Sequence, residues 1–127
     1  MRSANRWLAA TLLAAAACAH GEERAPSLRL LVQESPLAGY RYADAAQVWP
    51  LLRVGDALEL SREPDNPHDA NAVRVHWRGW KLGYVPRRDN AALAWGLDRG
   101  EPLRARISRL EPHANPARRV RFEVYVE

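Results

Sequence analysis

Two short runs of alternating apolar and polar residues flank a loop rich in proline, asparagine and aspartate, and this arrangement constrains the fold most. Leu58 and Leu60 alternate with polar residues before the loop, and Val73, Val75 and Trp77 alternate with polar residues after it. Alternation with a period of two indicates strands with one buried face. The sequence therefore predicts two half-buried strands joined by a polar loop.

The loop itself, within the stretch Arg62–Val75, consists largely of residues that favour turns. Pro64 and Pro67 fix φ and have no amide proton to donate. Aspartate and asparagine side chains can accept hydrogen bonds from their own backbone two residues further on. Four such residues occur here: Asp65, Asn66, Asp69 and Asn71. A loop stabilised in this way can be rigid while exposed, and rigid loops on a sheet often carry binding groups.

Alternation elsewhere in the chain brings the predicted total to about six strands. They are Leu28–Val32, Ala57–Arg62, Ala72–Trp77, Trp80–Tyr84, Leu103–Ile107 and Val120–Val126. Arg78 and Gly79 predict a two-residue hairpin turn, because glycine accepts positive φ. Antiparallel strands must protect their edges, and closure into a barrel is the usual solution in a small domain. The predicted fold class is mainly β, a small barrel with one or two short helices.

One helix is predicted over Asn90–Arg99, with Asp89 as its N-cap and Gly100 just beyond its C-terminus. A second, shorter helix is predicted within residues 43–52, where Pro50 disturbs it. Four tryptophans lie on predicted apolar faces and are expected in the core: Trp49, Trp77, Trp80 and Trp95.

Residues 1–19 have the features of a secretory signal peptide. The apolar stretch Trp7–Ala17 follows two arginines and is too short to span a bilayer. Cleavage after Ala19 fits the preference for small residues at the cleavage site. The alternative is lipid attachment at Cys18, although a lipobox usually has leucine where this chain has Ala15. Either reading predicts a periplasmic or secreted protein.

The remaining chain is predicted to be a polar linker over residues 20–27 and one domain over residues 28–127, because 127 residues suffice for one domain and not two. Of the 19 lysine and arginine residues in the whole sequence, only Lys81 is a lysine. Arginine contacts phosphate through two parallel hydrogen bonds and stacks on flat rings, which suits nucleic acid. Codon usage in a GC-rich genome would give the same preference for arginine over lysine. The net charge of +4 permits a basic groove without requiring one.

No motif in the sequence indicates an enzyme. Cys18 is the one cysteine, and the chain has no serine elbow and no glycine-rich phosphate loop. Asp56, Asp65 and Asp69 could be read as magnesium ligands. Turn formation explains them better, because metal sites for phosphoryl transfer need carboxylates from other elements as well. The four histidines lack zinc-site spacing. We therefore predict a non-enzymatic protein without metal or cofactor.

Three segments taken together resemble the HIRAN domain family: Gly39–Tyr42, Arg62–Val75 and Leu82–Arg87. The resemblance extends from about Leu30 to about Val126. It implies a compact OB-like barrel with helices packed on it. The family occurs in front of fork-remodelling DNA translocases, and alone or beside nuclease-like domains in bacteria. The resemblance thus implies nucleic-acid binding, with any hydrolase activity belonging to neighbouring domains of multi-domain relatives.

In that family a pocket captures the 3′ end of single-stranded DNA. The resemblance implies that Arg41 and Tyr42 contact the backbone and stack the terminal base, and that Asp69 accepts a hydrogen bond from the 3′ hydroxyl. Arg87 stands where a phosphate-binding lysine can occur. Rings and cations of this kind are what single-strand binding requires. The implied nucleic-acid-binding residues are Arg41, Tyr42, Asn66, His68, Asp69, Tyr84, Arg87 and His113.

Each of these residues also has a structural alternative. Tyr42 and Tyr84 could be core residues with surface hydroxyls, and Arg87 could belong to a solvated turn. The predicted export is a further difference, since replication-fork DNA is not periplasmic. The alternative function is therefore a secreted or periplasmic domain that binds a protein or envelope partner without DNA. Either form is expected to be monomeric and to lack a transmembrane helix.

Overall fold

The computed structural model describes residues 30–127 and shows one six-stranded antiparallel sheet with two short α-helices. The strands are β1 (Leu30–Pro36), β2 (Ala57–Arg62), β3 (Val73–Trp77), β4 (Trp80–Tyr84), β5 (Leu103–Leu110) and β6 (Val120–Val126). The helices are α1 (Ala45–Val48) and α2 (Ala91–Asp98). The predicted mainly β class is confirmed. The predicted signal peptide, the linker and the start of the first strand at Leu28 lie outside the described residues.

The strands are ordered β1-β6-β5-β2-β3-β4, and every neighbouring pair is antiparallel. The ladders leave the sheet open, but a single bridge joins the chain just after β1 to β4. In that bridge the amide of Ala38 donates to the carbonyl of Tyr84 at 2.9 Å, and the amide of Tyr84 donates back at 2.8 Å. The two edges of the sheet therefore meet at one point, in agreement with a small OB-like fold.

The core follows the alternation of the strands. Val73, Val75 and Trp77 of β3 are buried, and the residues between them are partly exposed. On β6 the buried residues are Val120, Phe122 and Val124. Residues two apart in a strand share a face, so the two strands present continuous apolar faces to one core.

Two of the four tryptophans expected in the core are exposed. Trp80 is 44% and Trp95 is 64% exposed, whereas Trp77 is buried and Trp49 is partly buried. Trp80 is the first residue of β4 after the hairpin and pairs with Trp77 at the end of the β3–β4 ladder. Trp95 lies on α2 about 200° around the helix axis from the buried Leu93. The apolar stretch of the sequence thus did not identify which side of α2 faces inward.

The predicted hairpin turn is confirmed, with positive φ at Arg78 (46°) and at Gly79 (85°). The predicted interruption near Pro50 is also present. There α1 ends at Val48, and a short 3-10 turn over Trp49–Leu51 follows it.

The helix predicted over Asn90–Arg99 exists as α2, one residue shorter at each end than expected. The predicted N-cap is wrong, because Asp89 lies in the preceding 3-10 turn and Asn90 occupies the cap position without a capping side-chain hydrogen bond. The Asn90 side chain instead donates to Asp69 across the structure. Gly100 follows the helix with a φ of 77°, as predicted for a terminating glycine.

Candidate nucleic-acid interface

The loop between β2 and β3 is held by hydrogen bonds from its own side chains. The amide of His68 donates to Oδ1 of Asn66 at 2.8 Å, and the amide of Asn71 donates to Oδ1 of Asp69 at 2.9 Å. Both contacts are the predicted bonds to the backbone two residues further on. The polar composition of the loop therefore fixes its backbone.

Arg62 ties this loop to the rest of the domain. Its guanidinium donates to the carbonyl of Ala72 at 2.7 Å, to the carbonyl of Ala70 at 2.8 Å and to Asp98 of α2 at 3.0 Å. The side chain is only 15% exposed. Sequence reasoning missed this role, because nothing in the alternation of β2 distinguishes Arg62 from a solvated arginine.

The carboxylate of Asp69 is fixed by a second contact. Its Oδ2 accepts a hydrogen bond of 2.7 Å from Nδ2 of Asn90, a side chain that is 2% exposed. Burial alone would raise the pKa of Asp69, but the hydrogen bonds from Asn71 and Asn90 and the charges of Arg87 and Arg62 together hold that pKa below its usual range. Asp69 is therefore an ionised acceptor at neutral pH.

One pocket of about 220 Å³ brings together five of the eight predicted residues. We call it the end pocket; the five are Asn66, His68, Asp69, Tyr84 and Arg87. Ala38, Ala72 and Val85 complete its lining. The five residues come from the β2–β3 loop, from β4 and from the 3-10 turn after it, so the fold brings distant segments together at this place.

A carboxylate behind the end pocket connects two of its walls. The hydroxyl of Tyr84 donates to Oε2 of Glu63 at 3.0 Å, and Nδ2 of Asn66 donates to Oε1 of Glu63 at 3.1 Å. The Tyr84 hydroxyl also accepts a hydrogen bond of 2.7 Å from Nζ of Lys81. Tyr84 is thus half-buried, with its hydroxyl tied back and its ring on the pocket wall. Glu63 and Lys81 were not identified from the sequence.

Arg41 and Tyr42 line a second cavity of about 150 Å³, which we call the tyrosine depression. It lies beside the end pocket, because Ala38 lines the end pocket and the next residue, Gly39, lines the tyrosine depression. Tyr42 is 89% exposed, so the core alternative for this residue is wrong. An exposed ring of this kind has a face available for stacking.

His113 lines neither cavity. Its Nδ1 accepts a hydrogen bond of 2.9 Å from the amide of Asn115, and its carbonyl accepts one of 2.7 Å from Arg119. These contacts shape the turn before β6. Because Asn115 lines the tyrosine depression, His113 is one contact removed from it.

Within residues 30–127, no group of three or more histidine, cysteine, aspartate or glutamate side chains is arranged to hold a metal ion. No helix in this part of the chain has the length and apolar character needed to cross a membrane.

An antiparallel sheet whose edges meet beside a rigid polar loop and a ring-lined pocket is the architecture of a small OB-like binding domain. The model of the HIRAN domain family matches residues 30–127. The chain belongs to the HIRAN domain family, as the sequence resemblance predicted.

Two solved structures are similar to this chain. A crystal structure of a protein from Lactobacillus plantarum is 28% identical, has a TM-score of 0.68 and is matched over 78% of this chain and 95% of that one. The crystal structure of the HIRAN domain of human HLTF is 18% identical, has a TM-score of 0.57 and is matched over 78% and 80%. The second likeness concerns the fold alone. A comparison with curated proteins gives no significant match.

Proposed function

We propose that this HIRAN domain is a non-enzymatic nucleic-acid-binding module that captures the 3′ end of single-stranded DNA in the end pocket. The observation that carries the proposal is the convergence of Asn66, His68, Asp69, Tyr84 and Arg87 on one cavity. The family resemblance pointed to these residues as nucleic-acid-binding from their sequence motifs alone, before their positions in space were known.

Asp69 is suited to accept a hydrogen bond from a 3′ hydroxyl. An ionised carboxylate has about four lone-pair sites. Asn71 and Asn90 each donate to a different oxygen of Asp69, which fixes the group and leaves further acceptor capacity on a carboxylate that lines the pocket. Arg87 lies in the same lining and supplies a cation for the adjacent phosphate.

The rings around the pocket are suited to bind bases. The Tyr84 ring and His68 line the end pocket, and the exposed ring of Tyr42 lies on the adjoining tyrosine depression. Stacking of a base on an aromatic ring is worth about 1–3 kcal/mol. Arg41, beside Tyr42, adds a charge for the backbone. The two cavities together would hold the terminal nucleotide, with its base stacked on Tyr42 as the resemblance implies.

The test compares oligonucleotides that end in a 3′ hydroxyl with matched ones that end in a 3′ phosphate, using fluorescence anisotropy. The phosphate removes the donor and brings a second negative charge to Asp69. Loss of a hydrogen bond to a charged group costs about 1.5–3 kcal/mol, so the hydroxyl end should bind more than about tenfold tighter. Asp69→Ala should erase this preference. Asp65→Ala is the matched control, since it removes an aspartate of the same loop that does not line the pocket.

Equal affinity of the wild-type protein for both ends would refute end capture. A loss of preference in Asp65→Ala equal to that in Asp69→Ala would assign the effect to loop charge instead. Binding that is absent, or that is unchanged between low and moderate salt, would favour the protein- or envelope-binding alternative, because phosphate contacts release counterions. The oligonucleotide should be recovered intact, as expected of a module without catalytic activity.

We also propose that residues 1–19 direct export and are removed. Mass spectrometry of the mature protein should find His20 at the N-terminus. An intact Met1 would refute export by this route, and a diacylglycerol adduct on Cys18 would identify a lipoprotein instead.

A further inference from the structure

A third cavity of about 290 Å³ is lined by four arginines, and we call it the arginine depression. The arginines come from four elements: Arg88 from the 3-10 turn after β4, Arg109 from β5, Arg118 from the turn before β6, and Arg121 from β6. Glu111 is the one acidic residue in the same lining. Side chains far apart in the sequence thus place several guanidinium groups around one concave surface.

Three of these arginines are paired with exposed or half-exposed carboxylates. The pairs are Arg88–Asp89, Arg109–Glu111 and Arg121–Glu34, with N–O distances of 3.8, 3.5 and 3.1 Å. Surface pairs of this kind contribute little to stability, so exchanging a carboxylate for a phosphate costs little. Within residues 30–127, Arg118 has no charged partner. The depression therefore has guanidinium groups available to an incoming anion.

The arginine depression shares a lining residue with one cavity of the proposed site and has a lining residue next in sequence to one of the other. Ala117 lines the arginine depression and also the tyrosine depression. Arg87 lines the end pocket, and the next residue, Arg88, lines the arginine depression. The arginines therefore lie near the pocket that would hold the end of a strand.

We propose that the arginine depression is a second nucleic-acid site, which binds the phosphodiester backbone of the strand several nucleotides away from its captured end. The proposal rests on the proposed function for the end pocket. Guanidinium groups bind phosphate through paired hydrogen bonds and do not read the base, so this site adds affinity without sequence preference. An acidic protein segment could use the same charges, and the test separates the two occupants.

The test measures binding of 3′-hydroxyl oligonucleotides of two lengths across a range of salt concentrations. A trinucleotide reaches the end pocket and its neighbour, whereas an oligonucleotide of about 12 nucleotides lies within the range of site sizes of OB folds. The variant is Arg109→Ala with Arg118→Ala. The control is Arg99→Ala with Arg104→Ala, which removes two exposed arginines outside all three cavities.

For single strands, each lost phosphate contact lowers the salt slope by about 0.7, which corresponds to about fivefold in affinity at 0.1 M salt. The Arg109/Arg118 variant should therefore bind the long oligonucleotide about 25-fold more weakly, with a slope lower by about 1.4. Its affinity for the trinucleotide should equal that of wild type. The control variant should change the long-strand affinity by less than about twofold.

Other outcomes separate this inference from the proposed function. The arginine site would be overturned if the Arg109/Arg118 variant lost the same affinity for both lengths, if the control variant lost as much affinity, or if neither lost any. End capture would stand after each of these results. If the wild-type protein binds the long oligonucleotide but not the trinucleotide, and the Arg109/Arg118 variant binds the long one more weakly as expected, the arginine site is supported and end capture is overturned. Binding of neither oligonucleotide would overturn both, and would leave the arginines to an acidic protein segment.

Discussion

Gly83 lies against the bridge where the two edges of the sheet meet, and Gly83→Ala tests the importance of this close approach. A Cβ atom on Gly83 would lie 2.2 Å from the carbonyl oxygen of Ala38 and 3.1 Å from the Leu37 side chain. The oxygen belongs to the backbone and accepts the hydrogen bond from Tyr84, so it cannot rotate away. The added methyl group must therefore open the bridge between Ala38 and β4.

The cost follows from the contacts that are lost. The bridge contains two backbone hydrogen bonds, of 2.8 and 2.9 Å. Each is worth about 0.5–1.5 kcal/mol net, and crowding a filled core adds about 1–3 kcal/mol. Gly83→Ala should therefore lower the free energy of unfolding by roughly 2–6 kcal/mol, a large part of the 5–15 kcal/mol typical of a domain.

Urea denaturation followed by tryptophan fluorescence measures this change, with Gly96→Ala as the matched control. A Cβ on Gly96 would lie 2.8 Å from Oε2 of Glu101, the end of a flexible exposed side chain that can move. Alanine is also favoured over glycine within a helix by about 0.5–1 kcal/mol. Gly96→Ala should thus stay within about 1 kcal/mol of wild type. A Gly83→Ala protein as stable as Gly96→Ala would refute the argument from backbone contact.

Three further substitutions test the loop and the pocket. Arg62→Lys keeps the charge but cannot reach both loop carbonyls, so the free energy of unfolding should fall by about 1–3 kcal/mol in urea, and an unchanged midpoint would contradict the bracing role. The folded-state pKa of Asp69 lies below its unfolded value of about 3.9, so the stability it contributes is present above that pH and is lost as the pH falls through the folded pKa. The free energy of unfolding of Asp69→Asn should consequently decrease less steeply than that of wild type as the pH falls below about 4. An identical decrease in both proteins would refute this. Glu63→Ala releases Tyr84 and Asn66, so trinucleotide affinity should fall while the salt slope of long-strand binding is retained; unchanged trinucleotide affinity would exclude a positioning role.

Alternation predicted β2 and β4 with their observed bounds, because each of these strands is short and bounded by clear turn residues. The first strand was predicted to end at Val32, but β1 continues to Pro36. The alternation breaks at Gln33 and Glu34, just after a bulge between Leu31 and Gln33 that shifts the register against β6. Pairing with a strand about 90 positions later sustains β1, and no local pattern carries that information.

The sequence likewise predicted one part of the candidate site and not the other. The residues that line the end pocket were found through the family resemblance, since they lie together in short motifs. The residues that hold them in place were missed, because each acts across the fold. Asn90 reaches Asp69 from 21 positions away, and Glu63 reaches Tyr84 over the same separation. A supporting contact of this kind becomes visible only when the chain is folded.

Lys81 stands behind the wall of the end pocket, with its Nζ 2.7 Å from the Tyr84 hydroxyl. Every other basic side chain apart from the histidines is an arginine, so Lys81 carries the sole side-chain amine of the protein. Acylating reagents that attack amines, and spare guanidinium groups, can therefore modify one side chain and the α-amino group alone. A fluorophore or crosslinker placed there would report on occupancy of the end pocket in the unmutated protein, without an engineered cysteine.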